Sequence, residues 1–194
     1  MRVLLFRHGE TPWTISGQHT GRTEVELTEV GEAQARASSV LFERLLQGHL
    51  PDFVYSSPRK RALRTAELAL SGSPQPVISD LLAEFDYGKY EGLTPAEIKQ
   101  IDPAWSLWEH GCPGGESVEQ VTERADRFIE LLRGRHDGQT VCAVSHGHMI
   151  RVLTARMLNL PAREGRIFSI KTASLAELAW KEQRFILQSW NLTI

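Results

Sequence analysis

The sequence predicts an α/β fold with a mostly parallel sheet that is covered by helices on both faces. Two short apolar runs, Val3–Phe6 and Thr140–Val144, have the composition of buried strands. A third run at Phe53–Tyr55 is separated from them by segments whose apolar residues recur at helical spacing. Alternation of strands with amphipathic helices is typical of parallel sheets that are buried on both sides.

The first predicted helix follows a long polar loop. Residues 8–27 contain glycines and many polar residues, and loops of this length without regular structure are often functional. Thr28 is a suitable N-cap for a helix that extends to about Gln47, and Gly48 is a suitable stop. The apolar residues at helical spacing, which we expect to face the sheet, are Val30, Ala33, Ala37, Val40, Leu41 and Leu45.

The second predicted helix is basic at its start. Ser57 is a suitable N-cap, and Pro58 is suited to the first helical position. The basic residues of the first turns are Arg59, Lys60, Arg61 and Arg64. Cations there oppose the helix dipole, which indicates that an anion binds nearby. We favour Arg61 as the residue that faces this anion, with Arg64 one turn behind it.

The second half of the chain continues the alternation within one predicted domain, residues 1–194. Residues 83–116 are irregular and rich in glycine, proline and aromatic residues. Ser117 and Gln120 form a capping box for the helix that follows. After the strand at 140–144 comes a helix from about His148 to Leu158. The tail contains predicted strands at 167–170, 175–180 and 185–190.

The composition argues against several classes of protein. The 194 residues are 41% hydrophobic and 24% charged, as in ordinary globular proteins. A net charge of −2 argues against binding to nucleic acid or to an anionic membrane. Two cysteines, Cys112 and Cys142, are too few for a disulfide framework. No apolar run has the length of a membrane span or a secretory signal, so we expect a cytoplasmic location.

Two histidines directly follow predicted strands. His8 comes after the first strand, beside Arg7, and His146 comes after the strand at 140–144. Because the carboxyl ends of parallel strands meet at one edge of the sheet, where ligands bind, we expect a single site. A neutral imidazole is a competent nucleophile, and arginine matches phosphate geometry. The pattern therefore predicts a phosphoryl-transfer enzyme with His8 as its nucleophile.

Other roles for these residues stay open at this point. As a cation, His146 would donate to phosphoryl oxygens, whereas the spacing His146-x-His148 is also typical of a metal site. No further acidic residue or histidine of fitting spacing accompanies this pair, which disfavours the metal site. The proton donor is undecided among the carboxylates of the irregular region, which are Glu84, Asp86, Glu91 and Glu116.

Short motifs along the chain together resemble one family. They are LFRHGET at 5–11, LTxxG at 27–31, SSPxxRAxxTA at 56–66, LxExxYGxxEG at 82–92, GES at 115–117 and SHGH at 145–148. In this order and combination they resemble the histidine phosphatase superfamily, which includes cofactor-dependent phosphoglycerate mutases and many small acid phosphatases.

The resemblance implies a three-layer α/β/α sandwich with a mostly parallel central sheet, which needs no metal and no other cofactor. It implies that His8 is the phosphorylated nucleophile and that Glu84 is the proton donor. It also implies that residues 83–116 partly cover the site. The residues implied to form the phosphate pocket are Arg7, Arg61 and His146.

Within the superfamily, the chain is most similar to small acid phosphatases, and it also resembles sedoheptulose-1,7-bisphosphatases. Thr14 stands where mutases usually have asparagine, and the interval from Glu84 to His146 is too short for the arginine-rich insertion of mutases. Both departures favour a phosphatase over a mutase. A catalytically idle module that binds a phospholigand is a third alternative, which the retained Glu84 disfavours.

The resemblance and the pattern together predict a small phosphorylated substrate and allow a homodimer. Acidic pH is expected to favour activity, because His146 would be protonated and Glu84 would be a readier proton donor. Trp105, Trp108 and His148 are further candidates for the outer pocket. The residues expected to bind phosphate or substrate are Arg7, Thr14, Thr20, Gly21, Arg61, Tyr87 and Gly147.

Overall fold

The computed structural model describes all residues from 1 to 194 and contains one six-stranded sheet. Its strands are β1 (Arg2–Arg7), β2 (Phe53–Ser56), β3 (Val77–Ile78), β4 (Thr140–Ser145), β5 (Leu175–Lys181) and β6 (Arg184–Leu192). Its helices are α1 (Pro12–Ser16), α2 (Glu29–Leu46), α3 (Lys60–Ala69), α4 (Pro95–Ile101), α5 (Leu107–His110), α6 (Val118–Arg135) and α7 (Gly147–Met157). No helix has the length and hydropathy that a membrane span requires.

The sheet has the order β3-β2-β4-β1-β5-β6 and is mostly parallel. The four strands from β3 to β1 run parallel, and the C-terminal hairpin adds β5 antiparallel to β1 and β6 antiparallel to β5. The predicted α/β fold is therefore confirmed. The predicted strand at 167–170 is wrong, because a 3-10 helix occupies Ala162–Ile167 and the backbone carbonyl of Ile170 accepts a hydrogen bond from Arg7.

Helices cover both faces of the sheet, so the protein is a three-layer sandwich. Successive residues of β1 alternate between two cores. Leu4 and Phe6 belong to a cluster with residues of α2 and α3. Val3 and Leu5 belong to a larger cluster with residues of α6 and α7. All four side chains are fully buried, so β1 is covered by a helical layer on each face.

The buried side of α2 differs from the predicted stripe. Val30 is 55% exposed and Val40 is 41% exposed. Thr28 caps the helix as predicted, but its hydroxyl also donates to Glu10, and Gly31 packs against the backbone of Glu10. These contacts fix the rotation of the helix. The residues that it buries are Gly31, Ala35, Ser38, Leu41, Phe42 and Leu46.

Helix α3 begins two residues later than predicted. Its N-cap is Arg59, and the side chain of Ser57 points instead towards His146, which the next subsection describes. The anion at the start of α3 is the protein's own carboxylate, since Glu24 accepts from the backbone N–H of Lys60 and from Arg59. A carboxylate of the protein itself therefore balances the positive charge at the start of α3.

Both irregular segments contain short helices, and the capping box of Thr94 and Glu97 predicts one of them, α4. The loop at 8–27 includes α1, which the reciprocal hydrogen bonds of Thr11 and Thr14 cap. The segment at 83–116 includes α4 and α5, and its aromatic side chains enter the larger core. The buried aromatic residues of this segment are Phe85, Tyr87, Tyr90 and Trp105.

Candidate active site

The site lies where β1 and β4 end side by side. Arg7 pairs with Ser145 in the sheet register, and the backbone N–H of His8 donates to the Ser145 carbonyl at 3.0 Å. His8 and His146 therefore leave neighbouring strand ends, and their ring centroids are 5.1 Å apart. The structure thus brings both histidines together at one edge of the sheet, as the positions of the two strands predicted.

His8 presents a free nitrogen lone pair. Its side chain is buried, and its Nδ1 donates to the carbonyl oxygen of Gly9 at 2.7 Å. Because Nδ1 carries the proton, Nε2 keeps its lone pair in the neutral ring. Burial and the charges of Arg61 and Arg7 hold the pKa of His8 well below its usual value. The imidazole thus stays neutral into the acidic range, and its Nε2 stays available as a nucleophile.

His146 is a neutral donor rather than the cation that the sequence suggested. The Nε of Arg61 donates to its Nδ1 at 3.2 Å, so the ring proton lies on Nε2, which donates to the Ser57 hydroxyl at 2.7 Å. Burial and the adjacent arginine charges hold the pKa of His146 well below its usual value. The expected benefit of acidic pH through a protonated His146 is therefore not supported.

Arg61 is fully buried, and most of its donors are engaged. Besides His146, it donates to the backbone carbonyls of Thr20, Gly21 and Thr23. It thereby fixes the loop beside the site and places its charge next to His8. Arg64, named as a second candidate, does not reach the site, because it forms ion pairs with Glu32 and Glu67 on the surface.

Arg7 retains an unused donor at the strand end. Its Nη1 donates to the Ile170 carbonyl at 2.7 Å, whereas its buried Nε has no partner. Gly147 packs under the guanidinium, and a Cβ atom there would lie 3.2 Å from the Arg7 Cζ. Because buried N–H groups are normally paired, this orphan donor indicates an oxyanion ligand.

Glu84 is a buried carboxyl whose pKa is raised. Burial raises its pKa, although backbone N–H groups of His148, Phe85 and Met149 and the charge of Arg7 oppose that shift. Its Oε1 accepts two of those N–H groups, and its Oε2 accepts only the one from His148. Oε2 therefore has a free position for a proton.

A cavity of about 400 Å³ opens at this edge of the sheet, next to His8. Arg61 and His146 do not reach its surface, and Gly21 acts through its backbone, donating to Glu91 and accepting from Arg61. Trp105 and Trp108 are also outside it. The residues named from the sequence that line the cavity are Arg7, His8, Thr14, Thr20, Glu84, Tyr87, Gly147 and His148.

Several residues of the site were missed from the sequence. Ser57 holds His146, and the Thr65 hydroxyl accepts from the backbone N–H of Gly9. His19 lines the cavity, stacks on Tyr87 with centroids 4.5 Å apart, and has a buried Nε2 without a partner. A capping box such as that of Ser117 can be found from the sequence because its residues are neighbours in the chain. The contacts of Ser57, Thr65 and His19 join residues that are far apart in the sequence, so no local pattern predicts them.

The metal alternative has no structural support in the side chains present. Both ring nitrogens of His146 are engaged, and His148 pairs through Nδ1 with the Tyr87 hydroxyl at 2.6 Å. No group of three His, Cys, Asp or Glu side chains has the geometry to hold a metal ion.

Comparison with known proteins assigns the family. Residues 3–193 match the profile of the histidine phosphatase superfamily (branch 1). The chain belongs to this superfamily. An acid phosphatase of Mycobacterium tuberculosis is 47% identical over 175 residues, which cover 90% of this chain and 84% of that protein. The chain is thus a histidine phosphatase, as the motifs at 5–11 and 145–148 predicted.

Two further similarities agree with this assignment. A sedoheptulose 1,7-bisphosphatase of Saccharomyces cerevisiae is 32% identical over 179 residues, covering 79% of this chain and 66% of that protein. A solved structure of a Mycobacterium tuberculosis open reading frame product superposes with a TM-score of 0.92 at 44% identity, covering 99% of this chain and 97% of the other. The resemblance stated from the motifs is confirmed.

The buried histidines predict that this histidine phosphatase loses stability in acid. Burial lowers the pKa of His8, His146 and His148, and it lowers that of His19 to about 4. Below pH ~6.5 the unfolded chain therefore binds protons that the folded chain excludes, which costs about 1.4 kcal/mol per pH unit for each group. Glu84 acts in the opposite sense above its ordinary pKa, so it offsets part of this loss of stability.

The measurement is the free energy of unfolding in urea at pH 7 and at pH 5. We expect a clear decrease at pH 5. His19→Phe, which keeps the aromatic stack on Tyr87, should make the decrease smaller by about the contribution of one histidine. A free energy of unfolding that is equal at the two pH values would contradict this assignment of neutral buried histidines.

Proposed function

We propose that the protein is a metal-independent phosphomonoesterase that hydrolyses small phosphorylated metabolites through a phosphohistidine at His8. The observation that carries the proposal is that one cavity is lined by His8 with its free Nε2, by Arg7 with its unpaired Nε, and by Glu84, whose pKa burial raises. A nucleophile, an oxyanion donor and a general acid then surround one cavity.

In the first step, the phosphoryl group of the substrate binds at Arg7. Nε2 of His8 forms a bond to phosphorus while the bond from phosphorus to the leaving oxygen breaks. Glu84 gives its proton to that oxygen, so the alcohol leaves neutral. The proton of His8 stays on Nδ1, which donates a hydrogen bond to the Gly9 carbonyl, and this hydrogen bond stabilises the positive charge that develops on the ring.

In the second step, water replaces the alcohol. Glu84, now a carboxylate, takes a proton from the water as its oxygen attacks phosphorus. The bond from phosphorus to Nε2 breaks, inorganic phosphate leaves, and His8 and Glu84 return to their starting states. The charges of Arg7 and Arg61 remain throughout, which favours the developing charge on the phosphoryl oxygens.

The names of the relatives support small metabolites as substrates, since one is an acid phosphatase and another a sedoheptulose bisphosphatase. The C-terminal strand β6 lies at the edge of the sheet. A homodimer that pairs through this edge stays a prediction.

The experiment measures phosphate release from a panel of phosphomonoesters at mildly acidic pH with a chelator present. The panel contains 4-nitrophenyl phosphate, 3-phosphoglycerate and sugar mono- and bisphosphates. We expect release that the chelator does not reduce. Conversion of 3-phosphoglycerate into its isomer without net phosphate release would establish the mutase alternative instead, and absence of any turnover would leave only a binding module.

A further inference from the structure

The cavity carries more positive charge than one phosphate group requires. Of the 18 residues that line it, three are arginines and only Glu84 has a carboxyl group. Arg7 serves the phosphoryl group, and burial raises the pKa of Glu84. Arg151 is left on the wall of the cavity without a carboxylate partner, and Arg166, which pairs with Glu109 and Glu164, lies at the rim. This local excess of cations indicates a second anion.

Arg151 is held in a fixed orientation on this wall. Its Nε donates to the Gly165 carbonyl and its Nη2 to the Arg166 carbonyl, both at 3.0 Å. Its guanidinium lies 4.4 Å from the ring centroid of Trp108, on the ring face. The remaining nitrogen, Nη1, has no protein acceptor among these contacts. A half-buried arginine that is oriented by three contacts and keeps one donor group free is prepared for an anionic ligand.

The position of Arg151 on α7 relates it to the phosphate end of the cavity. Gly147 packs under Arg7, and Arg151 lies four residues later on the same side of the helix. Their separation along the helix axis is about 6 Å. Partial burial lowers the pKa of Arg151, an effect that Glu84 opposes and that the charge of Arg7 reinforces, so all three share one electrostatic environment.

We propose that Arg151, with the more exposed Arg166 at the rim, forms a second anion subsite that binds a carboxylate of the substrate. The inference rests on the proposed function, because the first phosphate is the one that His8 attacks. It selects metabolites in which a short linker separates the ester phosphate from a second anionic group. Arg166 contributes less, since it also forms long ion pairs with Glu109 and Glu164.

The test uses pairs of substrates that differ only in the second anion. Glycerol 3-phosphate is compared with 3-phosphoglycerate, and phosphoethanolamine with phosphoserine. We expect the wild-type protein to have a higher kcat/KM for the carboxylated member of each pair. In Arg151→Met this preference should fall at least about tenfold, mainly through KM, because a charge-assisted hydrogen bond is lost.

The matched control is Arg156→Met. Arg156 lies on the same helix and, like Arg151, donates to a backbone carbonyl, that of Leu160. It also donates to the carboxylate of Asp126, and it does not line the cavity. We expect it to leave the preference unchanged. Equal losses for both members of a pair in Arg151→Met would mean that Arg151 only holds the turn at Gly165, and that result would overturn the proposal.

A binding measurement separates this proposal from the proposed function. The dissociation constants of glycerol 3-phosphate and 3-phosphoglycerate are measured by calorimetry in His8→Ala and in His8→Ala/Arg151→Met, where no turnover is needed. Tighter binding of 3-phosphoglycerate that disappears in the double variant supports the subsite even if the wild-type protein hydrolyses nothing. Equal affinities for the two compounds in His8→Ala would refute it.

Discussion

Replacing His8 with alanine should reduce phosphate release by at least about 10⁴-fold, because removal of a covalent nucleophile leaves only binding and electrostatic stabilisation. The ring is buried at the end of β1, and only its Nε2 has a free lone pair. Two other histidines lie on the cavity wall, but Nδ1 of His148 pairs with the Tyr87 hydroxyl and the ring of His19 stacks on that of Tyr87.

The same variant distinguishes the phosphohistidine from direct attack by water. Brief mixing of the wild-type protein with substrate, followed by quenching in base, should trap a chain heavier by one phosphoryl group, which acid then removes. His8→Ala should show no such adduct. His110→Ala is the control, because His110 is exposed and outside the cavity. Full activity in His8→Ala would disprove the mechanism proposed above.

The sequence was informative wherever a pattern is local. The continuous apolar run Val3–Phe6 predicts a strand buried on both faces, and the ends of β1 and β4 predict where His8 and His146 meet. Capping boxes such as that of Ser117 need only three or four residues, and the structure has them. The family motifs extend this to Glu84, which no spacing rule singled out among the four carboxylates.

The sequence was less informative wherever distant contacts decide. The rotation of α2 depends on the contact between Gly31 and Glu10, which periodicity alone does not contain. The state of His146 depends on Arg61 and Ser57 from another segment, so a cation was expected where a neutral donor lies. Arg151 is oriented by the carbonyls of Gly165 and Arg166, which belong to a 3-10 helix that the sequence did not predict.

The proton donor gives the second large effect. Glu84→Gln should lower kcat by about 10²–10⁴-fold for alkyl phosphates, whose leaving oxygen needs a proton. For 4-nitrophenyl phosphate the loss should be much smaller, because its leaving group departs readily as an anion. The amide also places an N–H₂ group near a backbone N–H that Glu84 accepts from, and any resulting disturbance would reduce both rates alike. The ratio of the two losses therefore reports proton donation.

The pH dependence of kcat/KM tests the same residue by another route. Protonated Glu84 is the active form, so the rate should fall as pH rises through its pKa, which burial raises above the ordinary value. Neutral His8 is also required, so the rate should fall at low pH, well below the usual imidazole pKa. In Glu84→Gln the alkaline fall should disappear while the acid fall remains. If the alkaline fall persisted in that variant, another group would be the acid, and preference for acidic pH would need a cause other than Glu84.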